Sequence, residues 1–65
     1  IQLKFFSTKE QLIPVEIFDV NGKKVLQEKM SLLQGDNIKV LNISSLSSGI
    51  YFLRVFGGSK KIVVN

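Results

Sequence analysis

Turn-forming residues recur along this chain at intervals of roughly ten: Ser7 to Gln11, Asn21-Gly22, Gln34-Gly35-Asp36, Ser44 to Gly49 and Gly57-Gly58-Ser59. Breaks so closely spaced leave little room for helices of ordinary length, but they suit strands of about five or six residues. The segments between them read accordingly. Ile1, Leu3 and Phe5 alternate with Gln2 and Lys4, the period-two pattern of a half-buried strand. Pro14 cannot donate to a ladder, so the strand it introduces is expected to begin there or to lie at a sheet edge. In that strand Val15, Ile17 and Asp19 share one face and Glu16, Phe18 and Val20 the other, with Val15 and Ile17 buried and Phe18 partly covered. Asn21-Gly22 between apolar alternations is a hairpin signal, because both residues tolerate positive φ. Lys23 to Met30 is the return strand with Val25 inward, and Ser31 to Leu33 fits strand or loop equally. After Gly35 a strand over Asn37 to Ile43 is expected to place Leu41 and Ile43 in the core.

The stretch Leu46 to Val55 closes the argument for a two-sheet core. Ser44 to Ser48 is too short and too serine-rich for a helix, and a single tight turn there drops Leu46 inward. Gly49 to Phe56 then forms the central strand, with Tyr51, Leu53 and Val55 on one side and Phe52, Arg54 and Phe56 on the other. Tyr51 follows Leu46 by five residues and Gly49 by two, a spacing similar to the tyrosine corner of immunoglobulin-like sandwiches, in which the phenol bonds backbone just upstream. Gly57-Gly58-Ser59 reads as a hairpin turn and Lys60 to Val64 as the last strand. The fold class is all-β: a small immunoglobulin-like antiparallel sandwich of about six to seven short strands. Asp19, Asn21, Gly22, Gly35, Asn37 and Leu46 are the turn residues that would shape it, with Asp19 and Asp36 expected to cap backbone amides.

Composition narrows the function. With 65 residues the chain holds one domain, and with neither Cys nor His it has no disulfide, no thiol nucleophile, no imidazole base and no soft metal ligand. Its five carboxylates, Glu10, Glu16, Asp19, Glu28 and Asp36, are scattered or sit beside turns, and its serines have no base near them in sequence. No catalytic residue, metal ligand or cofactor is therefore assigned, and the chain is not expected to be an enzyme. The formal charge of +4 raises nucleic acid as a partner, but the basic residues are dispersed and only Arg54 is an arginine, which reads as a solvated lysine surface. Phe6, Phe18, Phe52 and Phe56 are expected to pack on the outer faces of strands rather than to stack on bases. No apolar run approaches the roughly 20 residues that cross a bilayer, so no integral membrane helix is expected.

The ordered pattern Val15-x-Ile17-Phe18-Asp19-x-x-Gly22-Lys23-x-Val25, then Gly35-x-Asn37-x-x-x-Leu41-x-Ile43-x-x-Leu46-x-x-Gly49-Ile50-Tyr51-Phe52-Leu53-x-Val55, then Lys60-Lys61-Ile62-Val63-Val64, resembles the C-terminal sorting domain, type A, of type IX (Por) secretion cargo. The resemblance spans nearly the whole chain. It implies a non-catalytic domain at the end of a secreted protein, carried through the periplasm and outer membrane to the cell surface or medium. It further implies recognition by an outer-membrane translocon and its shuttle, and removal by a sortase, with an N-terminal cargo domain in the same polypeptide. The secretion-signal positions carried over are Gly49, Tyr51, Lys60, Lys61, Ile62, Val63 and Val64. The start at Ile1, inside an apolar alternation and without the Asn-Pro element such domains show upstream, leads to the expectation that residues 1–65 are excised from a longer secreted protein with the cleavage site outside them.

Physics supports that role independently of resemblance. A terminal strand at a sheet edge is a ready site for strand addition, while Lys60 and Lys61 would discourage casual pairing and offer charge to an acidic receptor. Ile62 and Val64 are expected to complete the core. The alternative reading is a non-catalytic adhesive module, binding carbohydrate or protein, retained on a surface enzyme. A third, a basic nucleic-acid binder, would show steeply salt-dependent affinity.

Overall fold

The computed structural model describes residues 1–56 and 58–65. Among them the chain forms six strands: β1 (Gln2–Ser7), β2 (Gln11–Phe18), β3 (Lys24–Leu32), β4 (Gly35–Val40), β5 (Gly49–Val55) and β6 (Gly58–Val64). They make two antiparallel sheets. One has four strands in the order β3-β2-β5-β6, and the other pairs β1 with β4. The inner faces enclose a core of Ile13, Val15, Ile17, Met30, Leu32, Leu41, Tyr51 and Leu53, with Leu3, Phe5, Leu46, Ile62 and Val64 packed around it. The result is a sandwich in keeping with the immunoglobulin-like expectation.

The crossing from β1 to β2 changes sheet and is held by one hydroxyl. Ser7 is buried; its Oγ donates to the Lys9 carbonyl at 2.6 Å and accepts from Gln11 Nε2 at 2.7 Å. Strand β2 begins at Gln11, three residues before Pro14, so the proline lies inside the strand and not at its start. It is tolerated because β5 pairs only with Glu16 to Phe18, leaving Pro14 locally at an edge on that side.

The β2–β3 hairpin corrects two expectations. Asp19 closes the turn, its Oδ1 accepting from the amides of Asn21 and Lys23, both at 2.9 Å. Gly22 has φ 83°, whereas Asn21 does not take a positive φ, so one residue and not two carries the left-handed conformation. Beyond the turn Ile17 pairs with Leu26 and Phe18 with Lys24, which leaves Val25 as the extra residue of a bulge. Leu26, opposite the buried Ile17, takes the inner face in alternation with Met30 and Leu32, so Val25 is 37% exposed instead of inward.

The next turn is organised by Asn37. Its Oδ1 accepts from the Leu33 amide at 2.9 Å, and its Nδ2 donates to the carbonyls of Leu33 at 2.8 Å and Gly35 at 3.1 Å. This side chain, and not Asp36 as expected, does the capping. Gly35, with φ 104°, opens β4, which ends at Val40 before the expected limit at Ile43. Leu41 is nonetheless fully buried, and Ile43 packs against the core from the connection that follows. The single turn ahead of β5 is present, with the Leu46 amide donating to the Ile43 carbonyl at 3.0 Å. Of the expected Gly57-Gly58-Ser59 turn, Gly57 lies outside the described residues, and Gly58 and Ser59 already belong to β6.

Candidate functional site

All the positions assigned from sequence to recognition fall on one supersecondary unit, the β5–β6 hairpin. Gly49 pairs with Val64, Tyr51 with Ile62, Phe52 with Lys61, Ile50 with Val63 and Leu53 with Lys60. Among the described residues strand β6 pairs with β5 alone and is the outer strand of its sheet. One long edge of β6 thus presents backbone donors and acceptors to whatever lies beside it.

The base of the hairpin is fixed by the tyrosine corner. Tyr51 is 8% exposed, and its hydroxyl donates to the Ser47 carbonyl at 2.7 Å. The bond ties the start of β5 to the loop before it. Gly49 stands beside the same ring, where an added Cβ would meet Tyr51 Cε2 at 3.8 Å, an ordinary contact.

Directly opposite residues of an antiparallel pair share a face, so the register sorts the β6 side chains. Lys60, Ile62 and Val64 stand on the inner face with Leu53, Tyr51 and Gly49, while Lys61 and Val63 stand on the outer face with Phe52 and Ile50. Ile62 and Val64 pack against the core as expected. Lys60 is on the same inner face but exposed, a lysine at the mouth of the sandwich and not on its outer surface.

The outer face near the hairpin is built around Glu16. Lys24 Nζ lies 2.8 Å from Glu16 Oε2 and Arg54 Nε 3.5 Å from Oε1, while the Arg54 guanidinium covers the Phe18 ring at 4.7 Å from its centroid. The hydrogen bond from Lys24 pulls the Glu16 carboxyl below its ordinary value; partial burial opposes this, and the charges of Lys24 and Arg54 add to the lowering. Sequence reading missed this cluster. Its signal was the alternation of Glu16 with Phe18 and of Phe52 with Arg54 on adjacent strands, which needs the strand order before it can be used.

Two aromatic expectations change. Phe6 is 71% exposed and does not pack on the outer face of its strand. Phe56 takes φ 54° and leaves the face of Phe52 and Arg54, placing its ring edge-on to Phe5 at 5.9 Å between centroids. A left-handed phenylalanine costs roughly 1–2 kcal/mol, which an edge-to-face aromatic pair of about 0.5–1.5 kcal/mol partly offsets.

Beside β6 runs an open groove of about 560 Å³, walled by Leu3 and Phe5 of β1 on one side and by Leu53, Val55 and Lys60 of the hairpin on the other. Among the described residues no group of His, Cys, Asp and Glu side chains is placed to hold a metal ion. Nor is any helix long and apolar enough to cross a membrane.

In comparison with known families, residues 1–65 match the family described as secretion system C-terminal sorting domain. No curated protein and no solved structure matches the chain significantly.

Proposed function

Given that this chain belongs to the family of secretion system C-terminal sorting domains, we propose that its β5–β6 hairpin is the part the export machinery reads. The family domain is the C-terminal signal for type IX secretion and marks proteins exported to the cell surface or medium. A sorting signal is not in itself catalytic; it engages the type IX machinery on behalf of cargo on its N-terminal side. Within that role, Gly49 and Tyr51 set the hairpin's base, Ile62 and Val64 anchor it to the core, and Lys60, Lys61 and Val63 are its accessible contacts. The translocon, its shuttle and a sortase are the partners this reading requires, and residues 1–65 act as one unit appended to a longer secreted chain.

The observation that carries the reading is the position of β6: an outer strand, paired on one side only, holding the basic-apolar run Lys60 to Val64. Strand addition at such an edge gives affinity through main-chain hydrogen bonds and specificity through alternate side chains. The test is a reporter fused to residues 1–65 in a type IX-competent cell. Export is expected for the parent fusion, and accumulation in the periplasm for a stably folded Lys61→Glu, Val63→Glu double variant. Full export of that variant would remove the hairpin from the recognition surface.

A further inference from the structure

The groove between β1 and β6 has the chemistry of a selective strand-binding site. Both flanking strands are sheet edges, since among the described residues β1 pairs only with β4 and β6 only with β5. The floor is apolar, from Leu3, Phe5, Leu53 and Val55, and its volume of about 560 Å³ lies within the roughly 300–1,000 Å³ of ligand clefts. Its charged lining is of one sign: Lys4 on the β1 side and Lys60 on the β6 side, with no carboxylate among the lining residues. Among the described residues the ion pairs are those of Glu16 with Lys24 and Arg54 on the opposite face, so neither groove lysine has a carboxylate partner.

Lys60 is the decisive residue. It stands opposite Leu53, on the inner face of an outer strand. A charge pointing inward from an edge strand blocks indiscriminate pairing, because an incoming apolar strand would bury the ammonium unpaired. The same charge admits a strand that brings its own counter-charge. We propose that the groove accepts a short extended peptide segment, apolar at alternate positions, whose carboxylate pairs with Lys60 as the segment adds to the free edge of β6. This deepens the hairpin reading and rests on it, naming the chemistry of the partner strand.

The probes are three synthetic nonapeptides of alternating valine and threonine, with a central glutamate, glutamine or lysine, titrated into the 65-residue chain and followed by amide chemical shifts. The glutamate peptide is expected to bind at least tenfold more tightly than the lysine peptide, with shifts centred on Ser59, Lys60 and Lys4, and to weaken as salt rises. Lys60→Glu is expected to reverse the preference between the glutamate and lysine peptides. Lys29→Glu, the same charge change at an exposed position of β3, should leave the order unchanged. Equal binding of all three peptides, shifts confined to the outer face, or an order unaffected by Lys60→Glu would each overturn the proposal. The competing occupant is a second copy of the chain offering its own β3 edge, where Glu28 stands opposite Val15. Concentration-dependent self-association abolished by Glu28→Gln would likewise overturn the peptide assignment. Should peptide selectivity fail while export still depends on Lys61 and Val63, the groove chemistry falls and the hairpin reading stands. Should export ignore those residues while selectivity holds, the reverse applies.

Discussion

Single side chains in this domain do work that a larger protein would share among many. The Tyr51 hydroxyl joins the end of the sandwich to the Ser47 carbonyl. Removing a hydrogen-bond donor from a buried acceptor costs about 1–3 kcal/mol, and because Ser47 is itself exposed, water can replace the lost donor in part. Tyr51→Phe is therefore expected to lower stability by about 1 kcal/mol, read from the shift of the urea midpoint at unchanged slope. Glu16 predicts a pH effect. Its carboxyl is held below its ordinary value when folded, so the folded state favours the charged form more than the unfolded state does. The resulting stability is fully present above the unfolded carboxylate pKa of about 4.3 and is lost as pH falls through the lower folded value. Thermal melts between pH 7 and pH 3 should show a stability loss on acidification that is smaller in Glu16→Gln, and parallel curves for the two proteins would refute it.

At the scale of strands, the two outer strands of the large sheet are protected by the same device. β6 carries Lys60 on its inner face and β3 carries Glu28, each exposed at the rim of the sandwich opposite a buried residue, Leu53 or Val15. An edge without such a charge would pair with any available strand. Within β6 the alternation separates stability from recognition. Ile62 packs on the core and Val63 is 59% exposed, so Ile62→Ala is expected to cost about 1–2 kcal/mol and Val63→Ala less than about 0.5 kcal/mol. Chemical denaturation of the pair checks the first difference. Export of a fused reporter checks its counterpart, with Val63 substitutions affecting sorting at undiminished stability. The bulge at Val25 likewise belongs to the element. The extra residue brings Lys24 opposite Phe18, on the face where it pairs with Glu16, while Leu26, Met30 and Leu32 keep the inner face by plain alternation.

The whole molecule is thin and long, 34 × 19 × 15 Å, its two hairpins β2–β3 and β5–β6 tied together by pairings distant in sequence. β1 meets β4 with Gln2 opposite Val40, and β2 meets β5 with Glu16 opposite Arg54. Such topology makes loop closure precede most of the burial, so refolding is expected in the millisecond-to-second range, with stopped-flow fluorescence of Tyr51 as the measure. A microsecond phase carrying the full amplitude would contradict it. Strand content, the tyrosine corner, the burial of Val15, Ile17 and Leu41, and the family were legible in the chain alone, because alternation and turn chemistry are local and survive without knowledge of neighbours. Tertiary packing settled the bulge that brings Lys24 opposite Phe18, the capping by Asn37 in place of Asp36, the turning of Phe56 onto Phe5, and the inward placement of Lys60. Each of these depends on which residue stands across the ladder or across the sandwich. A period-two pattern names two faces, but pairing register and the packing of one sheet on the other settle which of them meets the core.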